Sequence, residues 1–232
     1  MSANWEMVWA VVPVKDLENA KQRLASILDA DQRRSMLCAM LEDVLTALIR
    51  AECLAGVMLV TRDNDVREIA EDFRARVLVE HDNRGHTDAV TLAANTLAAE
   101  KVPRMLTIPA DLPLVTPEDI TAIVSAHAGA PPAVTLAPAR DKLGSNAMLC
   151  SPPNVLPFRF GENSFYPHLQ RARELGIEPR VIERPGFGLD IDTPDDLYAF
   201  AAQSSATHAY DYLTRTGLIT ALSESSGIAG SE

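Results

Sequence analysis

Three aspartates stand on short, apolar, strand-like segments. Asp111 lies in Leu106-Thr-Ile-Pro-Ala-Asp-Leu-Pro-Leu114, and Asp190 and Asp192 lie in Gly188-Leu-Asp-Ile-Asp-Thr-Pro-Asp-Asp196. Side chains at i and i+2 of a strand share a face, so Asp190 and Asp192 can aim at one point. Two carboxylates in a partly buried place repel unless a proton or a cation sits between them. A hard divalent cation with oxygen ligands meets that need, and magnesium often takes only one or two carboxylates plus substrate phosphates. The plainer alternative is that Asp192 or Thr193 caps the helix that Pro194 begins. Metal binding is the preferred reading.

Cations come early in the chain. Lys15, Lys21 and Arg23 share the stretch Val14-Lys-Asp-Leu-Glu-Asn-Ala-Lys-Gln-Arg-Leu24. A polyphosphate needs several donors close together, and this stretch offers three. Asp16 and Glu18 are interleaved, so a solvated charged loop is the competing reading. Leu143-Gly-Ser-Asn-Ala147 brings a hydroxyl, an amide and backbone N–H groups into a glycine-containing turn, which can hold an anion. Gly161 and Ser164 precede a helix, whose N-terminus favours phosphate or carboxylate. Ser164 also suits a simple N-cap. His168 lies inside that helix and reads as a surface or core histidine rather than a catalytic base. No GxxxxGK[ST] occurs, and no GxGxxG follows the first strand, which removes the P-loop and the dinucleotide fingerprint.

The elements that must position these residues alternate. Met7–Val14 is a nearly continuous apolar run, as in a strand buried on both faces. Further strands are expected at 56–61, 77–80, 105–109, 133–138, 147–150 and 180–183. Helices are expected at about 31–50, 65–74, 87–100, 116–128 and 164–175, with another starting at Thr193. Leu37, Leu41, Val44 and Leu48 mark the buried face of the first. Thr116-Pro-Glu-Asp119 and Thr193-Pro-Asp-Asp196 each combine an N-cap, a proline at the first helical position and an acid at the third. This alternation predicts an α/β fold, a doubly wound sheet whose ligands sit beyond the carboxyl ends of the strands. The loops at 15–23, 81–87 and around Asp111, together with the Asp190 segment, can then share one edge.

The chain has 232 residues, which suits one large domain. The expected division is residues 1–204 as the main domain and 205–232 as a C-terminal helix, amphipathic over Tyr210–Leu222, with a frayed tail. That stretch could pack on its own domain or on a partner subunit, which keeps a homodimer open. A net charge of −11 argues against a nucleic-acid partner held by charge. Cys38, Cys53 and Cys150 form no CxxC pair, so neither a disulfide framework nor a zinc site is indicated. There is no signal-peptide pattern and no membrane-length apolar run, so a soluble cytoplasmic protein without membrane contact is expected.

Taken together, five blocks resemble the 2-phospho-L-lactate guanylyltransferase family, whose members help make the deazaflavin coenzyme F-420. They are Val12–Leu24, Ala110–Leu114, Gly144–Ala147, Arg159–Phe165 and Gly188–Asp196, and the resemblance spans about residues 7–200. It implies a single-domain, Rossmann-like nucleotidyltransferase (GT-A-like) fold with a mixed, mainly parallel sheet flanked by helices. It implies transfer of GMP from GTP to the phosphate of a small phosphorylated acid, with release of pyrophosphate. Family members use phosphoenolpyruvate, 2-phospho-L-lactate or 3-phospho-D-glycerate. By residue-to-residue match, Asp111, Asp190 and Asp192 would hold magnesium (Mg2+). Lys15, Lys21 and Arg23 would face the GTP phosphates, with Lys15 joining the aspartates in the catalytic set. Ser145, Gly161 and Ser164 would hold the acceptor acid.

Two departures stand out. Where the family usually has Gly-Gly-Thr-Asn, this chain has Leu-Gly-Ser-Asn146 preceded by Lys142. Where the family tends to have Gly-Leu-Asn, this chain has Gly85-His-Thr-Asp-Ala89. Asp88 could accept from guanine N–H groups or simply favour the helix dipole. Rival readings are another nucleotidyltransferase of the same fold, acting on a sugar acid or a molybdenum-cofactor pterin, and a non-catalytic nucleotide-binding protein.

Overall fold

The apolar runs form the strands of one sheet in the computed structural model, which describes residues 7–14, 17, 20–80, 85–127, 129–161, 163–220 and 222. The strands are β1 (Val8–Pro13), β2 (Leu54–Thr61), β3 (Arg76–Val79), β4 (Arg104–Thr107), β5 (Ala133–Pro138), β6 (Ser145–Ser151) and β7 (Arg180–Val181). Their spatial order is β3-β2-β1-β4-β6-β5-β7. The pairs β1–β2, β1–β4, β2–β3 and β5–β7 are parallel, whereas β6 runs antiparallel to both β4 and β5. The sheet is therefore mixed and mainly parallel.

The helices are α1 (Ala30–Arg50), α2 (Asn64–Asp72), α3 (His86–Ala99), α4 (Pro117–Ala126), α5 (Phe165–Glu174), α6 (Pro185–Gly188), α7 (Pro194–Ala201) and α8 (His208–Arg215). They cover both faces. Successive strand residues alternate between two cores, as the two-residue period requires. Ala10, Val12, Leu59 and Leu106 join α1, α4, α7 and α8 on one side. Val11, Met58, Met105 and Met148 join α3 and α5 on the other. The expected face of α1, Leu37, Leu41, Val44 and Leu48, is buried. Both expected helix starts carry complete capping boxes, Thr116 with Asp119 and Thr193 with Asp196.

Two local outcomes differ from the sequence expectation, and a third falls on one of the alternatives it left open. The last strand is only two residues long, because the chain turns into α6, a short helix with no periodicity to reveal it. The segment Leu189–Asp192 is not a sheet strand. It runs extended, held by Ile191 N–H donating to Asp111 C=O at 3.1 Å and by Gly188 C=O accepting from Arg140 N–H at 2.8 Å. Its two-residue alternation survives nonetheless, with Ile191 fully buried and Asp190 and Asp192 turned to the opposite side. Finally, α8 packs on this chain's own α1. Asp43 of α1 accepts from the N–H groups of His208 (2.6 Å) and Ala209 (3.0 Å), and Ala209 and Leu213 enter the same core. Among the described residues no helix is long and apolar enough to cross a membrane.

Candidate active site

The chain leaves β1 for β2 and β3 on one side, then returns to place β4 on the other side of β1. This is a topological switch point, where loops leaving adjacent strands diverge and open a crevice. Because β6 is antiparallel to β4, its first residues, Ser145 and Asn146, stand at the edge where β1 and β4 end. Three separate stretches of chain thus meet there.

Each stretch is anchored by its neighbours. After β1, a 3₁₀ turn (Gln22–Leu24) buries Leu24 completely, and Arg33 holds the loop through the carbonyls of Ala20 (3.4 Å) and Leu28 (2.8 Å). Lys21 adopts the left-handed conformation (φ 53°), which turns its side chain inward. After β4, Asp111 leads toward the capped start of α4. Helix α6 packs so closely on that loop that a Cβ on Gly186 would collide with Asp119 and with the backbone of Leu114 and Val115. Asp119 also receives Arg184 Nε at 2.8 Å. The entry to the Asp190 segment is therefore fixed against the Asp111 loop.

Within this frame the Nζ of Lys21 lies 2.5 Å from Asp111 Oδ2 and 2.5 Å from Asp192 Oδ1. Burial opposes the charge on Lys21, but the two carboxylates outweigh it and raise its pKa above the ordinary value. Burial likewise acts against the Asp192 carboxylate, and Lys21 more than offsets this, holding the group below its ordinary pKa. Asp190 differs. Burial, reinforced by the charge of Asp111, raises its pKa, although Asn146 Nδ2 donates to Asp190 Oδ1 at 3.0 Å.

Asp111, Asp190, Asp192 and Asn146 line an open cleft of about 820 Å³, with Lys21 buried behind the carboxylates of Asp111 and Asp192. Arg23, Ser145, Gly161 and Ser164 line the same cleft. Gly161 has φ +132°, a conformation that favours glycine, with open space where a Cβ would be. The cleft thus combines carboxylates, a guanidinium and two hydroxyls, donor types able to hold anions directly and through a cation.

Other expected residues are placed differently. Asp88 is exposed on α3 and does not line the cleft, whereas Gly85, His86 and Thr87 do. A guanine contact by Asp88 has no geometric support in this arrangement. Lys142 turns away, its Nζ 2.7 Å from Glu183 Oε1. Lys15 lies outside the described residues, as do Asp16 and Glu18. Ser164 occupies the N-cap position of α5 without capping it. Its Oγ instead accepts from Ser145 N–H at 3.0 Å.

The three aspartates do not form a ready-made metal cage. Among the described residues no group of three or more His, Cys, Asp or Glu side chains is arranged to hold an ion. The donor set still suits a hard cation completed by ligand phosphates. Asp111 Oδ1 is buried without a hydrogen-bond partner among the described residues, and Asp190 carries a carboxyl whose charge is disfavoured. A cation beside both would satisfy the first and favour ionisation of the second.

Two residues have contacts at the site that the sequence reading did not assign. Asn146 donates to Phe187 C=O at 2.8 Å as well as to Asp190, and so sets the latter's orientation. His168 is 1% exposed and bridges Ser145 to the backbone of Arg159. The signal for His168 was its spacing. Four residues after Ser164, on a helix whose side chains lean toward the N-terminus, it had to lie over the serine's turn.

The family described as "Guanylyl transferase CofC like" matches residues 8–229. The phosphoenolpyruvate guanylyltransferase of Rubrobacter xylanophilus is 38% identical over 201 residues, covering 87% of this chain and 97% of that protein. The 2-phospho-L-lactate guanylyltransferase of Methanothermobacter thermautotrophicus is 32% identical over 206 residues, 89% of each chain. Among solved structures, a nucleotidyl transferase from Methanothermobacter thermautotrophicus superposes with a TM-score of 0.66 at 18% identity, covering 90% of this chain and 99% of the other. That likeness shows the nucleotidyltransferase fold, and the sequence match identifies the lineage: this chain belongs to the CofC-like guanylyl transferase family.

Proposed function

We propose that this protein transfers GMP from GTP to the phosphate of a small phosphorylated carboxylic acid and releases pyrophosphate, in the formation of deazaflavin coenzyme F-420. The observation that carries the reading is the Lys21–Asp111–Asp192 cluster at the switch point, whose two carboxylates line the same cleft as Ser145 and Ser164.

In the reaction an acceptor phosphate oxygen attacks the α-phosphorus of GTP. The new P–O bond forms as the bond to the β-phosphate oxygen breaks, and pyrophosphate departs with that electron pair. The acceptor oxygen is already anionic near neutral pH, because the second pKa of a phosphate monoester is about 6. No strong base is required. The obstacle is to bring two anions together in line, which positioning and charge neutralisation address.

Lys21 and Arg23 supply positive charge at the nucleotide end, with Lys15 assigned there by sequence. Asp111 and Asp190, with Asp192 beside them, would hold magnesium, which supplies further neutralisation of the phosphates when bound. Ser145, Ser164 and the backbone at Gly161 hold the acid. His86 and Thr87 line the cleft, and the Thr87 hydroxyl accepts from Phe160 N–H at 3.0 Å, tying the start of α3 to the acceptor loop.

The deciding experiment is pyrophosphate release from GTP and magnesium with phosphoenolpyruvate, 2-phospho-L-lactate and 3-phospho-D-glycerate tested separately. Release with one acid, and none with ATP or CTP, is the expected result. Silence with all three from a folded, GTP-binding protein overturns the reading.

A further inference from the structure

We infer that His168 is a positioning residue for the acceptor subsite, fixing the Ser145 hydroxyl as a hydrogen-bond donor to an anion in the cleft. The inference rests on the acceptor role proposed for Ser145 and Ser164.

The hydrogen bonds determine the tautomer. The backbone N–H of Arg159 points at His168 Nε2 at 3.0 Å, so Nε2 must present its lone pair. A neutral imidazole then carries its proton on Nδ1. That N–H faces Ser145 Oγ at 3.0 Å and donates to it. Burial keeps the ring neutral, lowering its pKa to about 4.

The consequence falls on the serine. Once Ser145 Oγ accepts from His168, its own proton is left for another acceptor, and the residue lines the cleft. Ser164 is in the same condition by a different route, because its Oγ accepts from Ser145 N–H at 3.0 Å. Both serines are buried, 7% and 4% exposed as residues, and each hydroxyl has an acceptor position occupied by a protein N–H. With Nδ1 of His168 as a donor, neither serine has an acceptor for its own proton among the described residues. Two convergent donors with occupied acceptor positions select an anion over a neutral donor ligand.

His168 also braces the third part of the subsite. Its ring meets Phe160 edge-on at 4.9 Å, and Phe160 immediately precedes Gly161. One imidazole, carried on α5, therefore touches the β6 start and the Arg159–Phe160 stretch that leads into the glycine loop.

Steady-state kinetics of the full chain test this with four variants: H168Q, H168N, S145A and H168Q/S145A. Glutamine can reach the Nε2 position and keep the Arg159 contact, but it abandons Nδ1. Asparagine can place an amide N–H near Nδ1. H168Q is expected to raise KM for the acid about 5- to 30-fold with KM for GTP unchanged, in keeping with a charged hydrogen bond weakened by misorientation. H168N is expected to recover most of that loss. In the S145A background H168Q should add little, because the hydroxyl it orients is gone. An unchanged acid KM in H168Q overturns the inference, and so does a parallel rise for GTP or a full multiplicative effect on top of S145A.

A second readout does not depend on turnover or on H168Q folding. In ¹⁵N-histidine-labelled wild-type protein, the His168 ring, assigned by its loss in H168N, should show its proton on Nδ1. A proton on Nε2 overturns the inference. A wild-type chain with the Nδ1 tautomer but no activity on any acid would count against the proposed reaction instead.

Discussion

The Nζ of Lys21 lies 2.5 Å from Oδ2 of Asp111, and the same ammonium reaches Asp192 at an equal distance. One buried cation therefore joins the loop after β1, the loop after β4 and the segment after α6. Replacing it with the uncharged Met strands two carboxylates. Breaking a buried pair from one side costs about 3–5 kcal/mol, and the half-exposure of Asp192 places this case near the lower end. K21M should therefore lose about 3 kcal/mol in urea unfolding and most of its turnover. K21M/D111N should regain part of the stability and none of the activity. A K21M protein as stable as wild type would show that the cluster is not coupled as its geometry implies.

Asp190 should separate stability from activity. Its carboxylate is disfavoured by burial and by Asp111, so the charge is held there at a cost. D190N keeps the shape and an oxygen for the Asn146 contact. It should melt no lower than wild type while kcat falls about 100-fold or more, as for loss of a group needed only for transition-state charge. D111N and D192N should also lose turnover, and calorimetric magnesium titration in the presence of GTP should weaken in all three. Full activity in all three variants would remove the metal assignment.

Much of this was legible because one-dimensional periodicity reports burial. The β1 run, the apolar face of α1 and the two Thr-Pro helix starts each state their environment within a few residues. The common direction of Asp190 and Asp192 was legible for the same reason, even though the segment pairs with no strand. What lay hidden depends on contacts between distant positions. Lys21 and Asp192 are separated by 171 residues, and nothing local shows that the lysine would turn inward rather than remain solvated. Asp88 read plausibly as a base contact, but helix phase directs it outward. His168 looked ordinary because its partners, Ser145 and the Arg159 backbone, are assembled by the fold.

Acid should weaken the fold through its buried histidines. His127 is held between Thr135 Oγ1 (2.9 Å) and Ser151 Oγ (2.6 Å), and burial, aided by Arg104 and Arg180, lowers its pKa to about 4. The unfolded chain, with a pKa near 6.5, binds the proton more readily. Stability from this group is thus full above about pH 6.5 and lost as pH falls toward 4, by about 3 kcal/mol at most. Asp43 acts in the opposite sense. Burial raises its folded pKa to about 6, so its contribution is present at low pH and lost as pH rises through that value. Urea midpoints from pH 7 to 4.5 should fall less steeply in H127Q than in wild type. Parallel profiles would mean that His127 does not titrate between the two states.

Asn146 tests whether the carboxylate cluster must be aimed as well as present. Its amide spends one hydrogen on Phe187 C=O and one on Asp190 Oδ1, at 2.8 and 3.0 Å. N146A leaves a buried carbonyl unsatisfied, which costs about 1–3 kcal/mol. It also frees Asp190 to rotate, so kcat should fall about tenfold, a smaller loss than for removal of Asp190 itself. N146D adds a negative charge beside a carboxyl already reluctant to ionise, and should raise the pKa of Asp190 further. Its turnover should therefore recover as pH increases, because ionising Asp190 then becomes easier, whereas N146A, which only removes the amide that favours the charged form, should show a smaller recovery. A flat profile in N146D would assign Asn146 to packing alone. A rising one would show that the amide keeps Asp190 charged and in place for the nucleotide.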